Sequence, residues 1–426
     1  MKNKIIVLLS AILFCMTLGL KDAMAAAASD VACKAPCINS FEIEDGQITA
    51  TDIANNAVTN AKIADGAVTT TKITDGSVTN TKIGDGSVTD AKITGPISSS
   101  KIEKPAKIAV VAQSGGNYTD PVTAMNNLSA WCGTPSATNP CLLKIMPGVY
   151  NIGANSLQMQ NYVDIEGSGE DVTKITGNAG TIYTAVVNGA SNAEIRFLTV
   201  ENTGAANEIC AIYNVNPSAK ITNVTVITTG GAASNSCGVW NDASVTMTNV
   251  TVSATGGINT NRGVVNQATV IMTNVIITAT GGGFQNIGVL NSFSTVTMTN
   301  ATVNVSGSGA IEYIGVLNMG NSNVTIMNST ITATGGVSKG VSNNASFATI
   351  TNSTITASGG SGIYTIDNFG GSLKIDHSVI GGSNSTIIGS YVYVGNTRLD
   401  GGPVSGTVIC AGVYDENYVF YPNTCP

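Results

Sequence analysis

The sequence predicts an all-β protein, a right-handed parallel β-helix built from coils of three short strands. The first observation is an asparagine that returns about every 26 residues along the second half of the chain. The second is that apolar residues and threonines alternate with period two on either side of it, which indicates strand, bend, strand. The third is another asparagine series upstream, which adds a third strand to each copy. A fixed period of this size is typical of a solenoid with one structural unit per copy.

Two series of asparagines are expected to form ladders along the stack of coils. Asparagine suits a bend because it tolerates the left-handed region of the backbone and can hydrogen-bond locally. Stacked in register, its amide groups can also bond to one another. The series at the bend comprises Asn223, Asn249, Asn274, Asn300, Asn328 and Asn352. The upstream series comprises Asn214, Asn241, Asn266, Asn291, Asn318 and Asn343.

The residues three places after each bend asparagine are expected to form a core column. They are Val226, Val252, Ile277, Val303, Ile331 and Ile355. The composition agrees with a long repetitive β domain, since only 11% of the 426 residues are charged and 48 are glycine. The net charge of -7 excludes the basic surface that nucleic-acid binding requires.

The first 25 residues have the layout of a secretory signal peptide. Lys2 and Lys4 precede an apolar run over residues 5–20, and a small-x-small cleavage site ends at Ala25. The run is short for a membrane span, and no second apolar segment of about 18 or more residues follows it. We therefore expect an exported protein without a membrane span. Its expected location is extracellular or at the cell surface, with the periplasm as a further option.

Export makes disulfide bonds the expected role of the cysteines. Cys210 lies 13 residues before Asn223 and Cys237 lies 12 before Asn249, so the two occupy nearly the same place on adjacent coils. Coils lie about 4.8 Å apart and disulfides span Cα separations of about 4.4–6.8 Å, which predicts a Cys210–Cys237 bond. Closeness in sequence suggests the further pairs Cys33–Cys37, Cys132–Cys141 and Cys410–Cys425. No histidine accompanies these cysteines, so neither a metal site nor a cofactor is expected.

Residues 45–104, which follow a Cys-containing segment over residues 26–44, contain a repeat with a period of ten. The copies NNAVTNAKIA, DGAVTTTKIT, DGSVTNTKIG and DGSVTDAKIT place one valine or isoleucine every five residues. That spacing fits neither an α-helix nor a flat strand, and it is too thin a core for a lone chain. The segment resembles the stalk repeats of phage tail fibres and bacterial surface proteins, which implies a slender, homotrimeric spacer. A semi-flexible linker is the alternative.

The β-helix is expected over residues 105–395, with a cap at each end. Asp120 and Pro121 suit the start of a helix, which would run to about Trp131 and cover the open first coil. A solenoid needs such a cap because a bare β edge promotes aggregation. Residues 396–426 break the period and are expected to form a C-terminal cap closed by a disulfide bond.

The coil arrangement resembles the pectin lyase-like superfamily over roughly residues 106–395. The opening also resembles pectinesterases, through GNYT at residues 116–119, PGVY at 147–150 and IEGSG at 165–169. The resemblance implies catalytic aspartates, glutamines and an arginine on strands of the middle coils. The corresponding strands here are GVWN, GVVN and GVLN, without a carboxylate or guanidinium group, so no catalytic residue is predicted.

The remaining charged residues predict no paired catalytic acids and no calcium site. His377, the only histidine, takes the place of a bend asparagine one coil after Asn352 and is expected to be structural. Asp367 and Asp376 are the only acids that lie close together in the later coils. Residues 240–360 offer four charged groups on different coils, namely Asp242, Arg262, Glu312 and Lys339.

One column of largely apolar side chains is the candidate binding surface. In each GVWN-like strand it follows a core valine or isoleucine, so period two places it on the outside. An exposed apolar ribbon suggests a ligand or partner, and in the families that the chain resembles this strand face is the saccharide groove. The column comprises Tyr213, Trp240, Val265, Leu290, Leu317 and Tyr364. The alternatives are that loops or the C-terminal tail cover the column, or that the parity is reversed and Trp240 is buried.

Two classes of function follow. The stalk and the missing acids favour an exported, fibre-like surface or extracellular protein that binds a polysaccharide or a cell-surface component without catalysis. The resemblance in fold favours the alternative, a carbohydrate-active enzyme of the pectinesterase, lyase or depolymerase type acting on an acidic polysaccharide.

Overall fold

A computed structural model of the chain divides into two compact units, Met1–Ser98 and Ser99–Pro426. The structure describes residues 48–49, 51–55, 57–74, 77–78, 107–181, 183–230, 233–360 and 362–426. The predicted signal peptide, the segment over residues 26–44 and the predicted Cys33–Cys37 bond lie outside the described residues.

The described part of the first unit repeats one backbone turn every five residues. An N–H donates to the carbonyl three residues earlier at Asp52, Ala57, Lys62, Ala67, Lys72 and Ser77. Two of these turns are 3-10 helices, Asn60–Lys62 and Thr70–Lys72. The valines and isoleucines among these described residues are 42–55% exposed. Within the described turns, a single copy therefore does not bury its own apolar residues.

The second unit is a parallel β-helix of about ten coils. Its helices are α1 (Pro121–Asn126) and α2 (Leu128–Trp131). Its strands are β1 (Lys107–Val111), β2 (Cys141–Ile145), β3 (Gly148–Asn151), β4 (Leu157–Gln158), β5 (Val163–Glu166), β6 (Thr173–Gly177), β7 (Val187–Asn188), β8 (Glu194–Asn202), β9 (Glu208–Asn214), β10 (Ala219–Thr228), β11 (Ala233–Asn241), β12 (Val245–Ala254), β13 (Gly257–Asn266), β14 (Thr269–Thr273), β15 (Ile276–Thr280), β16 (Gln285–Ser292), β17 (Thr295–Thr299), β18 (Thr302–Ser306), β19 (Glu312–Met319), β20 (Asn323–Met327), β21 (Thr330–Thr334), β22 (Val337–Thr351), β23 (Thr354–Ser358), β24 (Gly362–Asp376), β25 (Val379–Gly382), β26 (Ser385–Gly395), β27 (Arg398–Gly401), β28 (Val404–Ala411), β29 (Val413–Asp415) and β30 (Phe420–Tyr421).

The strands stack into three parallel sheets that run along the coil axis. The first sheet contains the GVWN-like strands and runs through β4, β7, β9, β11, β13, β16 and β19 into the first halves of β22, β24 and β26. The second sheet precedes the bend asparagine and the third follows it, so that β8, β10 and β12 each belong to both. Three strands per coil were predicted, and the parallel β-helix is confirmed.

The bend asparagines adopt the left-handed backbone that the sequence predicted. Their φ angles lie between 49° and 55°, and His377 follows at the next coil with a φ of 47°. The amide Nδ2 of Asn249 donates to Oδ1 of Asn223 at 2.9 Å, and Asn274 and Asn300 continue the ladder at 3.0 Å. The upstream series forms a second ladder inside the coils, where Asn241, Asn266, Asn291, Asn318 and Asn343 are fully buried.

The core lies between the three sheets and is capped at its N-terminal end. The predicted core column is buried, with Val303 at 0% exposure. Asp120 caps α1 by accepting from the Thr123 backbone N–H at 2.6 Å, with Pro121 in the first turn. The predicted single helix is in fact two, because α1 ends at Asn126 and α2 begins at Leu128. Met125 is buried in the core, and Val122, Leu128 and Trp131 pack against it.

The C-terminal end combines one more parallel strand per sheet with a short hairpin. β28 pairs with β26 and β29 pairs with β27 beyond residue 395. β29 then pairs antiparallel with β30, and a disulfide bond joins Cys410 to Cys425. Among the residues described, no helix has the length and apolar character that a membrane crossing needs.

Of the predicted disulfide bonds between described residues, two are confirmed and one is wrong. Cys132–Cys141 and Cys410–Cys425 are bonded, with Cα separations of 6.0 and 5.2 Å. The predicted Cys210–Cys237 bond is wrong, because both residues are buried free thiols, although they are direct partners in the ladder. In-register side chains on parallel strands project in the same direction, so their Cβ atoms repeat the coil spacing of about 4.8 Å. A disulfide bond needs Cβ atoms about 3.5–4.5 Å apart.

Candidate ligand-binding cleft

The strands of the first sheet bend at a column of glycines, and this bend creates a cleft on the outer surface. The ladder pairing skips the glycine position, and a Cβ on Gly288 would lie only 2.2 Å from Cγ1 of the core residue Val303. Only glycine lets the strand pass so close to the core of the neighbouring sheet. The column comprises Gly238, Gly263, Gly288, Gly315 and Gly340.

Two columns of outward side chains line the cleft, one on each side of the bend. The Cys210 column contains Cys210, Cys237, Arg262, Ile287, Ile314, Lys339 and Tyr364. The Tyr213 column contains Tyr213, Trp240, Val265, Leu290, Leu317, Ser342 and Asp367. In the first coils the columns contact each other and form an apolar cluster separate from the main core.

The predicted apolar ribbon therefore lies on the outer side of the first sheet, as expected, but its side chains are less exposed than predicted. Tyr213 and Val265 are buried, at 7% and 1% exposure, and Trp240, Leu290 and Leu317 are half-buried. The bend tilts the Cys210 column against the ribbon, which period-two reasoning does not include. Tyr364 does not belong to the ribbon at all, since it pairs with Lys339 in the other column.

Asp242 fixes the aromatic end of the cleft. Its Oδ2 accepts from the Tyr213 hydroxyl at 2.8 Å, and its Oδ1 accepts from Nε1 of Trp240 at 2.6 Å. The rings of Tyr183 and Tyr213 pack in a T-shaped arrangement with a centroid distance of 5.5 Å. Burial and the hydrogen bond to Asp242 both raise the pKa of Tyr213 well above its ordinary value. Asp242 is thus a turn residue that holds this end of the cleft closed, and we name the part lined by Tyr213, Trp240 and Val265 the closed half.

Further along the coils the same cleft opens. Ser342 occupies the Tyr213 column where Leu317 stands one coil earlier, and the smaller side chain leaves space beside it. A cavity of about 300 Å³ lies here, bordered by Gln285, Glu312, Ile314, Leu317, Lys339, Ser342, Asn344, Asp367 and Phe369. We name this part the open half of the cleft.

Lys339 stands between two carboxylates in the open half. Its Nζ lies 3.3 Å from Oε1 of Glu312 and 3.1 Å from Oδ2 of Asp367, and all three side chains are mostly buried. Gln285 donates to the other Glu312 oxygen at 2.6 Å. Burial alone would lower the pKa of Lys339, but Asp367 and Glu312 outweigh it and raise the pKa above its ordinary value. The group is therefore a fixed cation.

Phe369 adds an exposed aromatic ring to the rim of this cavity. It follows Asn368, the next member of the buried ladder, and precedes two glycines with φ angles of 77° and 82°. The ring is 78% exposed. Phe293, at the corresponding turn three coils earlier, is 77% exposed and lies over Gly320. Sequence reasoning sought the aromatic surface within the strands and missed these turn residues.

The open half was also missed because its charged residues are far apart in sequence. Glu312, Lys339 and Asp367 lie on three consecutive coils, and only the register of the first sheet brings them together. Their offsets from the buried ladder carry the signal: Asp367 immediately precedes Asn368, and Lys339 lies four residues before Asn343. Aligning the copies on the buried ladder would have found the cluster.

A second charged cluster occupies the first coils of the second sheet. The Arg196 guanidinium lies 2.8–3.1 Å from carboxylate oxygens of Asp164, Glu166 and Glu194. Burial would raise the pKa of Glu166, but hydrogen bonds from Lys144 and Arg196 outweigh it and lower the pKa. Because all three carboxylates pair with Arg196, we assign the cluster a structural role in holding adjacent coils together. In the described part of the chain, no group of three or more His, Cys, Asp or Glu residues could hold a metal ion.

No family model matches the chain, and no curated protein matches its sequence. Solved structures resemble it in fold. The A-module of mannuronan C-5 epimerase AlgE4 from Azotobacter vinelandii is 14% identical, with 67% of this chain and 91% of that chain covered and a TM-score of 0.43. Pectate lyase Pel9A is 14% identical, with coverages of 68% and 79% and a TM-score of 0.44. Pectin methylesterase from carrot is 13% identical, with coverages of 72% and 84% and a TM-score of 0.38. These are right-handed parallel β-helix proteins. At such identities and scores the likeness concerns the fold alone.

Proposed function

We propose that this protein is an exported, non-catalytic polysaccharide-binding protein whose ligand lies in the open half of the cleft. The observation that carries the proposal is the exposed ring of Phe369 on the rim of a cavity that contains Lys339, Glu312 and Asp367. A concave site with an apolar wall and a few convergent polar groups is the usual form of a small-ligand site.

The groups of the open half suit the two surfaces of a sugar ring. The C–H face of a pyranose is apolar and packs on an aromatic face, which Phe369 presents to solvent. The hydroxyl groups of the sugar need donors and acceptors, and charge-assisted bonds to carboxylates or an ammonium are the stronger ones. Glu312, Asp367 and Lys339 supply both kinds within one cavity.

The same contacts argue against catalysis. A lysine acting as general base requires a lowered pKa, whereas the two carboxylates raise that of Lys339. Glycoside hydrolysis places a protonated acid and a second carboxylate about 5–10 Å apart, on either side of the reacting bond. Here the Lys339 ammonium itself occupies the space between Glu312 and Asp367. The enzyme alternative is favoured by the position of the two carboxylates, which both lie within 3.3 Å of the same Nζ. The test therefore includes an assay of enzymatic activity.

The experiment combines binding and product assays on the full exported chain. A glycan array identifies the ligand, and reducing-sugar and unsaturated-product assays on the bound glycan measure turnover. Binding without products supports the proposal. Phe369→Ala should then weaken glycan binding. The control is Phe347→Ala, which removes an exposed phenylalanine at the start of the second-sheet part of β22 and should leave binding unchanged. Product formation that Asp367→Asn abolishes would establish the enzyme instead.

We extend the proposal to assembly and location. The signal peptide would export the chain to the cell surface or the medium, where the cleft meets polysaccharide or another surface component. The valines and isoleucines of the repeat recur every five residues, and those between residues 48 and 78 that the structure describes are about half exposed, so self-association of the stalk into a homotrimer would bury them. Deleting residues 45–104 should convert the oligomer to a folded monomer in sedimentation equilibrium. An unchanged oligomeric state would make the segment a linker.

A further inference from the structure

The outer surface of the first sheet carries more acid than base. Its cations are Arg262 and Lys339, and each is already paired with carboxylates of the same surface. Arg262 lies 3.3 Å from Glu208, and Lys339 is shared by two acids. Along these strands and the turn at Asp242, the described residues provide four carboxylates for two cations, namely Glu208, Asp242, Glu312 and Asp367.

From this balance we infer that the cleft selects uncharged polysaccharide chains and rejects polyuronates, an inference that rests on the proposed binding function. The resemblance in sequence implied an acidic polysaccharide, and the charges point the other way. A uronate carboxylate in the cavity would meet two fixed carboxylates and one ammonium, and like charges repel more strongly where burial limits screening. The net charge of -7 adds a repulsive field around the whole chain.

The same carboxylates favour a neutral chain. A hydroxyl group can donate to Glu312 or Asp367, and a bond to an ionised acceptor is roughly twice as strong as one between neutral groups. Lys339 holds both carboxylates in place, because its Nζ lies within 3.3 Å of an oxygen of each of them. Phe369 then accepts the apolar face of a neutral pyranose.

The inference predicts how affinity depends on ligand charge and on salt. The probes are soluble neutral glycans (dextran, laminarin and glucomannan) and two polyuronates (polygalacturonate and alginate), measured by affinity electrophoresis and calorimetry. We expect at least one neutral glycan to bind with an affinity that salt barely changes. Each polyuronate should bind at least about tenfold more weakly, with the gap widest at low ionic strength.

Variants that neutralise one carboxylate test which part of the protein discriminates between neutral glycans and polyuronates. Asp367→Asn keeps the shape but removes one charge, so neutral-glycan affinity should fall about tenfold while the discrimination against polyuronates narrows. Glu201→Gln removes the same charge from the third sheet, where Glu201 pairs with Lys174, and should change neither value. Thermal melts of both variants confirm that the fold is intact.

Two results would overturn the inference, and they differ in what they say about the proposed function. If a polyuronate binds better than every neutral glycan and Lys339→Met abolishes that binding, the site recognises acidic chains and the proposed function survives. If neither class binds to the wild-type protein, the proposed function fails together with the inference.

Discussion

The closed and open halves of the cleft share one backbone and differ in side chains at two columns. In the closed half Tyr213, Trp240 and Val265 pack beside the glycine bend. Asp242 accepts hydrogen bonds from the Tyr213 hydroxyl and the Trp240 indole N–H. In the open half Ser342 and Asp367 stand at the same column, and a cavity replaces the packing. The repeated fold thus supplies a similar frame at each coil, and the outward residues of these two columns decide whether the coil is filled by packing or borders a cavity.

The largest expected effect lies in the closed half. Tyr213→Ala removes a buried ring and leaves Asp242 without one of its donors, so the free energy of unfolding should fall by about 3–5 kcal/mol. Phe369→Ala removes an exposed ring from the open half and should change stability by no more than about 0.5 kcal/mol. Urea denaturation of the two variants provides the comparison. Equal losses would show that the halves do not differ in packing.

A smaller effect is expected from the ion pair that shapes the open half. The folded-state pKa of Lys339 lies above that of an unfolded lysine, about 10.4. Its stabilising contribution is therefore complete below that pH and is lost as the pH rises through the folded-state pKa. The wild-type protein should lose more stability than Lys339→Met across this alkaline range, while the exposed control Lys374→Met should follow the wild type. Parallel curves for all three proteins would contradict the assigned role.

The smallest effect concerns the thiols beneath the closed half. Cys210 and Cys237 are at most 1% exposed, and burial raises the pKa of the Cys210 thiol. Iodoacetamide should therefore modify neither residue in the folded protein and both after unfolding without reductant, as counted by mass spectrometry. No modification after unfolding would mean that the two residues are bonded to each other.

The sequence predicts the frame well because the frame depends on local periodicity. Bend asparagines such as Asn249, core residues such as Val303 and the capping pair Asp120-Pro121 all lie where the pattern placed them. Each follows from alternation, from the φ preference of one residue type, or from helix capping, and none needs knowledge of distant contacts.

The site was poorly predicted because it depends on departures from that periodicity. The glycine bend tilts the Cys210 column against a nominally exposed column, and this contact buries Tyr213. Tyr364 was placed in the wrong column because its GIYT motif resembles GVWN, while the ladder aligns Asp367 with Ser342. The cluster around Lys339 arises only from register across three coils. Sequence shows such contacts when copies are aligned on a structural ladder rather than on similar short motifs.

The most direct test of the account fills the open half with the residue that earlier coils use. Ser342→Leu places a leucine where Leu317 and Leu290 stand one and two coils before, so it should pack into the cavity without loss of stability. Ligand affinity and melting temperature are measured on the same protein, with Thr325→Leu on the second sheet as the control. We predict that Ser342→Leu weakens binding of the glycan by more than about tenfold at an unchanged melting temperature. Wild-type affinity in the folded Ser342→Leu protein would contradict the placement of the ligand in the open half.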